Sequence, residues 1–294
     1  MENKITAINH TNWKQKLKSY LHKPGSLLLL VLVLLAAVTT VSILGFLIVY
    51  ILINGIPHLK PDLFVWKYTS DNVSMMPAII NTLIMTVLSL VISVPIGVCA
   101  AVYLVEYAGK GNKLVSLVRV TAETLSGIPS IVYGLFGMLF FVTYLKWGYS
   151  LLAGAFTLAI MVLPTVMRST EEALLAVPDS YREGSYGLGA GRLRTIFVVV
   201  LPSAIPGILA GIILAIGRIV GETAALMYTS GTVTDVAASV FDSGRTLSLH
   251  MYSLSREGLH TDQAYATAVV LLVVVMLINW VSGFVAKYFA RERS

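Results

Sequence analysis

Six apolar segments, each near the roughly 20 residues that a helix needs to cross a bilayer, constrain this chain more than any other feature. Of the 294 residues, 56% are hydrophobic and only 12% are charged, which is outside the range of soluble globular domains. The sequence therefore predicts an all-α polytopic membrane protein with six transmembrane helices. The predicted spans are residues 26–53, 78–103, 123–145, 150–167, 203–228 and 264–286.

These segments also set the predicted domain boundaries. A polar, lysine-rich tail occupies residues 1–25, and a short basic tail occupies residues 287–294. Between them, residues 26–286 form one six-helix transmembrane domain, which includes a long polar loop at 168–202.

Lysines and arginines predict how the loops are oriented, because loops on the cytoplasmic side carry an excess of both. With the N-terminus inside, fifteen of them fall in inside segments and five in outside segments. Both termini and the 168–202 loop are therefore predicted to be cytoplasmic. The loops 54–75 and 229–262 are predicted to lie outside.

One cytoplasmic stretch, Asp179 to Pro202, has the form of two short helices joined by a glycine elbow. Ser180 and Glu183 have the S-x-x-E spacing of a capping box, which predicts a helix start. Repeated glycines, each costing about 1 kcal/mol relative to alanine in a helix, keep this helix short. We interpret the stretch as a protruding surface that another protein grips. The alternative is a solvated connector in which Glu183 only caps the helix and the glycines only form turns.

At this stretch the sequence resembles the membrane subunits of ABC importers. Their cytoplasmic loop carries E-A-A, three residues, G, nine residues and I-x-L-P, and the spacing fits here throughout. Two of the three E-A-A positions and the Ile differ conservatively. The flanking segments PSIVYGLFG and GRIVGETAAL are similar to those of phosphate-importer permeases of the PstA type. The matching loop positions are Glu183, Gly184, Ser185, Gly189, Leu201 and Pro202.

The resemblance implies a fold, a function and partners. The implied fold is that of a type I importer permease in the bacterial inner membrane, and the implied substrate is inorganic phosphate. A second homologous permease subunit (PstC-like) and an extracytoplasmic phosphate-binding protein (PstS-like) are implied. ATPase subunits (PstB-like) would bind ATP and Mg and couple to the six matching loop residues. No cofactor is expected in this chain.

No catalytic motif is found in the sequence. The nucleotide-binding sequence G-x-x-x-x-G-K-[ST] is absent, and so are H-E-x-x-H and a nucleophile elbow. The single cysteine, Cys99, and the five histidines show no metal-ligand spacing. We therefore expect a transport subunit rather than an enzyme, with energy supplied by a partner.

Two ionisable residues lie within the fifth predicted span. Arg218 is roughly 22 Å along the helix from Ser203, and Glu222 follows one turn later on the same face. A central charge costs about 2.5–3.5 kcal/mol on insertion scales, so both side chains should face protein or water. We predict that Arg218 contacts the translocated anion through its guanidinium fork and that Glu222 balances its charge. A purely structural Arg–Glu pair is the alternative.

Glycine and proline mark close contacts and breaks in the predicted spans. Two small-xxx-small patterns, Gly207/Gly211 and Gly217/Gly221, predict close approach of another helix. The G-I-P-S sequence that ends at Ser130 predicts a break in the third span. Such a break is tolerated only beside protein or a water-filled cavity, so Ser130 is a predicted pathway residue. A packing kink is the alternative.

The outside loop 229–262 contains apolar residues at helical spacing around His250. This pattern predicts an interfacial helix. The resemblance implies that this side of the protein meets the binding protein, and a surface loop without a partner is the alternative.

The residues leave other substrates and energy sources open. Sulfate or molybdate fits the residue chemistry as well as phosphate does. An ion-coupled secondary transporter is disfavoured by the docking loop and by the lack of an inverted repeat. A non-transporting scaffold is disfavoured by the ionisable pair at membrane depth.

Overall fold

The computed structural model describes residues 24–108 and 111–291, with side chains described in 25–108 and 111–284. Most of the predicted tail 1–25 lies outside this part of the chain. Helices dominate these residues, and no strand occurs among them. The helices are α1 (Pro24–Gly55), α2 (Met76–Val102), α3 (Lys113–Ser126), α4 (Ser130–Gly137), α5 (Leu151–Leu175), α6 (Asp179–Gly187), α7 (Arg192–Thr195), α8 (Leu201–Gly221), α9 (Ala224–Met227), α10 (Leu247–Glu257) and α11 (Thr261–Arg291).

Wide and tight helical turns extend or connect these helices. Three π-helical turns continue α2, continue α4 and join α7 to α8. Two 3₁₀ turns follow α1. In chain order these turns are Ile56–His58, Pro61–Phe64, Tyr103–Tyr107, Met138–Tyr144 and Ile196–Val200.

Within the described residues, five helical segments are long and apolar enough to cross a membrane, which confirms the polytopic class. Lys113–Ser126 and Ser130–Tyr144 form a sixth crossing only if the two helices are counted as one span. They are bent relative to each other by 101°. The predicted third span is this bent pair, either a broken span or a re-entrant loop. Pro129 causes the break, since its fixed φ and its effect on the preceding residue disfavour a continuous helix.

The chain divides into two units, residues 1–53 and 54–294. In the first unit, the side chains of α1 between Leu28 and Ile53 are apolar on all sides and largely exposed. A long helix that is apolar around its whole circumference is typical of a membrane span.

In the second unit, α2, α5 and α8 form the central core. Met85 of α2, Leu158 and Met161 of α5, and Ile219 of α8 are almost completely buried in one apolar cluster. This packing fixes the relative positions of α2, α5 and α8, which carry or contact the candidate functional residues.

Small residues allow α8 to approach α5 closely. A Cβ added at Gly207 would lie 2.6 Å from Ala173 Cβ, and one at Gly211 would collide with Ser169 Oγ. The first predicted small-xxx-small contact is therefore confirmed. The second pattern makes no such contact, because no described atom lies within 4 Å of a Cβ added at Gly217.

Several helix ends differ from the predicted ends. α5 continues beyond residue 167 to Leu175, because Glu171 and Leu174 are still buried and give the helix a packed face. Pro178 then separates it from the next helix. α11 continues to Arg291, into the residues predicted as a basic tail.

The helix α2 runs between the two ends of the second unit. At 1.5 Å per residue, this helix is about 40 Å long. At its N-terminal end, Asn81 Nδ2 donates to the Asp235 main-chain oxygen at 3.0 Å. Thr82 Oγ1 accepts from the Leu247 N–H at 2.8 Å. At its C-terminal end, Glu106 contacts α6 through an arginine.

The predicted helix around His250 is α10. The prediction of a helix is confirmed, but Leu247, Leu249, His250 and Leu254 are buried against protein rather than lying on a membrane surface.

Candidate coupling and transport site

The helix α6 is the first helix of the predicted coupling loop, and it starts at Asp179 after Pro178. No side chain caps this helix, so the predicted capping box of Ser180 and Glu183 is wrong. Pro178 has the fixed φ and extended ψ of an N-cap residue, which places Ser180 inside the first turn. Asp179 instead puts a carboxylate in the first turn, where the helix dipole favours it.

Gly189 ends α6 in a left-handed conformation, with φ of +81°. Its N–H donates to the Tyr186 oxygen at 2.9 Å, and the Ala190 N–H donates to the Ser185 oxygen at 3.1 Å. These two bonds form a Schellman motif, which favours glycine because a Cβ is disfavoured at this φ. The predicted glycine elbow is therefore present, and Gly189 fixes where the helix ends.

The outer face of α6 is open. Glu183 and Gly184 are exposed, and no described atom lies within 4 Å of a Cβ added at Gly184. Leu188, beside the elbow, is 92% exposed, and Tyr181 and Tyr186 are also exposed. Grouped exposed apolar side chains are typical of an interaction surface.

The other residues of the predicted motif hold the loop together. Ser185 Oγ forms a 2.8 Å hydrogen bond with the hydroxyl of buried Thr195. Leu201 packs against the apolar cluster beneath the loop. Pro202 lines a groove of about 610 Å³ together with Tyr181. The motif therefore combines an exposed face with residues that fasten it.

Arg182 connects α6 to the rest of the bundle. Its Nη2 and Nε donate to Glu106 Oε1 at 2.8 and 3.1 Å, which joins α6 to the C-terminal end of α2. Its Nη2 and Nη1 also donate to the main-chain oxygens of Leu174 and Val177 at 3.0 and 2.8 Å, at the end of α5. A fifth bond runs to exposed Asp179. The forked guanidinium can bond all these acceptors at once, which an ammonium cannot.

A cavity of about 620 Å³ opens between α3, α5 and α8. Arg119 forms an ion pair with mostly buried Glu171, and Arg168 Nε lies 3.2 Å from exposed Glu172. An anion that binds these arginines competes with these carboxylates. The charged lining residues are Arg119, Glu123, Arg168, Glu171 and Glu172.

Sequence reasoning missed this cavity and the Arg182 contact. Arg168 and Glu172 have the i, i+4 spacing of a helical ion pair, and this spacing could have indicated one side of the cavity. Arg182 and Glu106 are 76 positions apart, so no local pattern could have joined them.

Glu222 lies outside the helix that carries Arg218. α8 ends at Gly221, and Glu222 is extended, with φ of −75° and ψ of 132°. Its Oε1 accepts from the Ala225 N–H at 3.1 Å, and its main-chain oxygen accepts from Ser248 Oγ at 2.7 Å. The prediction of a continuous helix through both residues is therefore wrong. Glu222 instead accepts a hydrogen bond from a main-chain N–H at the start of α9, which has no partner within that helix. In the described ranges, Arg218 and Glu222 form no ion pair.

Arg218 and Ser130 lie near the cavity but do not line it. Arg218 is half-buried and close enough to Tyr133 of α4 to interact electrostatically. Leu214, one turn earlier on α8, does line the cavity. Ser130 is the first residue of α4, while Ser126, on the other side of the bend, is a lining residue. The pathway role of Arg218, Ser130 and Glu222 stays a prediction.

Comparisons with known proteins agree with this arrangement. The chain is 33% identical over 275 residues to the probable ABC transporter permease protein YqgI of Bacillus subtilis, covering 86% of this chain and 93% of that protein. It is 36% identical over 219 residues to the phosphate transport system permease protein PstA 1 of Mycobacterium tuberculosis, covering 74% and 71% of the two chains. The resemblance to permeases of the PstA type is therefore confirmed.

A solved structure supports the fold alone. The crystal structure of a bacterial alginate ABC transporter contains a chain with a TM-score of 0.66 and 16% identity, covering 92% of this chain and 97% of that one. Residues 93–294 match the family model described as binding-protein-dependent transport system inner membrane component. This match covers more than half of the sequence, and the chain belongs to that family, the transmembrane permease components of ABC importers.

Proposed function

We propose that this chain is the permease subunit of an ABC importer for inorganic phosphate in a bacterial inner membrane. Its family supports the transport role, and its 36% identity to a PstA permease supports phosphate. The observation that carries the proposal is the exposed helix α6, which ends at a Schellman glycine and is fastened by Arg182.

In this proposal α6 is the coupling helix. A PstB-like ATPase binds ATP and Mg and docks on the exposed face of α6 around Glu183 and Gly184. Arg182 transmits movement of α6 to α2 through Glu106, and to α5 through the main-chain oxygens to which it donates. The ATPase side is cytoplasmic, as are both termini.

The proposed pathway includes the charged cavity and Arg218. Phosphate competes with Glu171 and Glu172 for the guanidinium groups of Arg119 and Arg168, because a bidentate fork fits a tetrahedral oxyanion. A PstC-like permease completes the pathway. A PstS-like binding protein delivers phosphate at the end of the bundle that contains α10.

The proposal is tested by placing a bulky side chain on the coupling face. Gly184→Phe fills space that is empty in this chain, so the chain itself should fold normally. We expect the ATPase to be lost on co-purification of the complex and phosphate uptake to fall at least about tenfold, because a clash at a docking helix disrupts positioning.

Gly45→Phe is the matched control, because Gly45 is also a helical glycine but belongs to the apolar helix α1 rather than to the predicted coupling loop. It should leave both ATPase recovery and uptake near the wild-type values. If Gly184→Phe behaves like Gly45→Phe, α6 is a solvated connector and the coupling proposal fails.

A further inference from the structure

A buried arginine lies at the end of the bundle away from α6. Arg245 is only 4% exposed, and its side-chain atoms Nε and Nη2 have no hydrogen-bond partner. Within the part of the chain that the structure describes, no carboxylate pairs with it. Hydrogen bonds of its main chain to Val233 and Asn81 hold it in place.

One aromatic ring, Tyr68, lies against this guanidinium, and His250 lies against Tyr68. The guanidinium Cζ lies 4.8 Å from the centroid of the Tyr68 ring. The same ring makes an edge-on contact with His250, at 6.2 Å between centroids. His250 is completely buried, and neither of its ring nitrogens makes a hydrogen bond of good geometry. Several unused polar atoms of Arg245 and His250 therefore lie buried around the Tyr68 ring.

The charge of Arg245 requires compensation. An arginine side chain stays protonated in proteins, and burying an unpaired cation is strongly unfavourable. The face of Tyr68 offsets only part of this cost. Arg245 also lies just before α10, whose N-terminal end adds positive potential. The missing component is a negative charge, and free guanidinium N–H groups favour an oxyanion.

His250 restricts which oxyanion fits. Burial, and then the charge of Arg245, lower the pKa of His250 to about 3, while the nearby Val73 backbone acts in the opposite direction. The ring is therefore neutral at pH 7, with one nitrogen that donates and one that accepts. An accepting nitrogen favours an anion that carries a proton. Hydrogen phosphate carries one near neutral pH, whereas sulfate carries none.

We propose that Arg245 and His250 bind a hydrogen phosphate ion, at a site separate from the charged cavity. This inference rests on the proposed phosphate function and adds a selective site at the end where the binding protein delivers its cargo. Arg245 donates to the unprotonated oxygens, and His250 accepts from the phosphate hydroxyl. Tyr68 belongs to the segment that covers the site, and exchange of phosphate requires this segment to move.

Strain is present in that covering segment. Val73 is buried and β-branched, yet its φ is +47°, in the left-handed region that such residues rarely adopt. A turn held by Thr69 and Asn72 leads into it. A strained residue beside a buried site is consistent with a segment that has a second conformation.

Phosphate-dependent thermal stabilisation of the assembled transporter, without the binding protein, tests the inference. We compare wild type with Arg245→Met, which keeps apolar bulk and removes the charge, and with His250→Leu. Arg256→Met is the control, because Arg256 lies on the same helix but is exposed. ATP-driven uptake of labelled phosphate by the wild type tests the proposed function separately.

We expect phosphate to stabilise the wild type and Arg256→Met equally, and sulfate to stabilise them much less. Arg245→Met should fold in phosphate-free buffer and lose most of the phosphate effect. His250→Leu should weaken phosphate binding at least about tenfold, as expected for one hydrogen bond to an ion, and should leave sulfate binding unchanged.

Three results would overturn the inference while uptake by the wild type still supports the transport function. The first is a full phosphate effect in Arg245→Met. The second is equal stabilisation by sulfate and phosphate in the wild type. The third is stabilisation that depends on Arg245 but requires the binding protein instead of phosphate, which would assign Arg245 to a protein contact.

Discussion

Replacing Arg182 by alanine removes the contact that fastens α6 to the ends of α2 and α5. Glu106, which is 6% exposed, would lose its ion-pair partner and two hydrogen bonds of 2.8 and 3.1 Å. The main-chain oxygens of Leu174 and Val177 would each lose a donor.

The expected loss of stability follows from these contacts. Removing one member of a buried ion pair costs about 3–5 kcal/mol, because the other charge stays buried. The contact with Asp179, which is 87% exposed, contributes at most about 1 kcal/mol. We therefore expect Arg182→Ala to lower the free energy of unfolding by about 3–5 kcal/mol. Arg182→Lys should lose less, because it keeps the charge but not the fork.

The measurement is unfolding of the purified protein in mixed micelles with increasing SDS. Arg168→Ala is the control, because its ion pair with Glu172 joins side chains that are 66% and 67% exposed, and it should cost at most about 1 kcal/mol. Adding Glu106→Leu to Arg182→Ala should restore part of the lost stability, since no charge is then stranded and only the oxygens of Leu174 and Val177 stay without their donors. If Arg182→Ala is no more destabilising than Arg168→Ala, the reasoning is refuted.

Three further predictions concern single side chains, all measured by the same unfolding assay. Gly189→Asn should be tolerated, whereas Gly189→Val should cost about 1–2 kcal/mol, because a β-branched residue resists the left-handed conformation; equal effects would contradict this. Burial, and then Arg245, hold the pKa of His250 at about 3. The unfolded chain therefore binds the proton more readily, and stability should be lost as pH falls below about 6.5, by about 2 kcal/mol at pH 5, but not in His250→Leu. Glu222→Gln keeps an acceptor for Ala225 and should change little, whereas Glu222→Ala should cost about 1–3 kcal/mol.

Features with a local cause could be predicted from the sequence. Apolar length predicts the spans, and the spacing from Glu183 to Pro202 predicts a helix that ends at a glycine elbow. The break before Ser130 follows from Pro129. These features depend on hydrophobicity, glycine and proline, which act over a few residues.

Features that depend on folding could not be predicted. Arg182 meets Glu106 from 76 positions away, and Arg119 meets Glu171 on another helix. Glu222 has helical spacing from Arg218, but tertiary contacts with Ser248 hold it in an extended conformation. Periodicity indicates which residues would share a face if a helix continued, and it does not indicate where packing ends that helix.

Uptake of labelled phosphate by proteoliposomes tests the central claim most directly. The proteoliposomes contain this chain with its permease partner and ATPase, and the binding protein is added outside. Uptake should require ATP on the α6 side, should require this chain, and should not be inhibited by excess sulfate. Uptake driven by an ion gradient without ATP, or equal transport of sulfate, would contradict the claim that this chain is the permease of an ATP-driven phosphate importer.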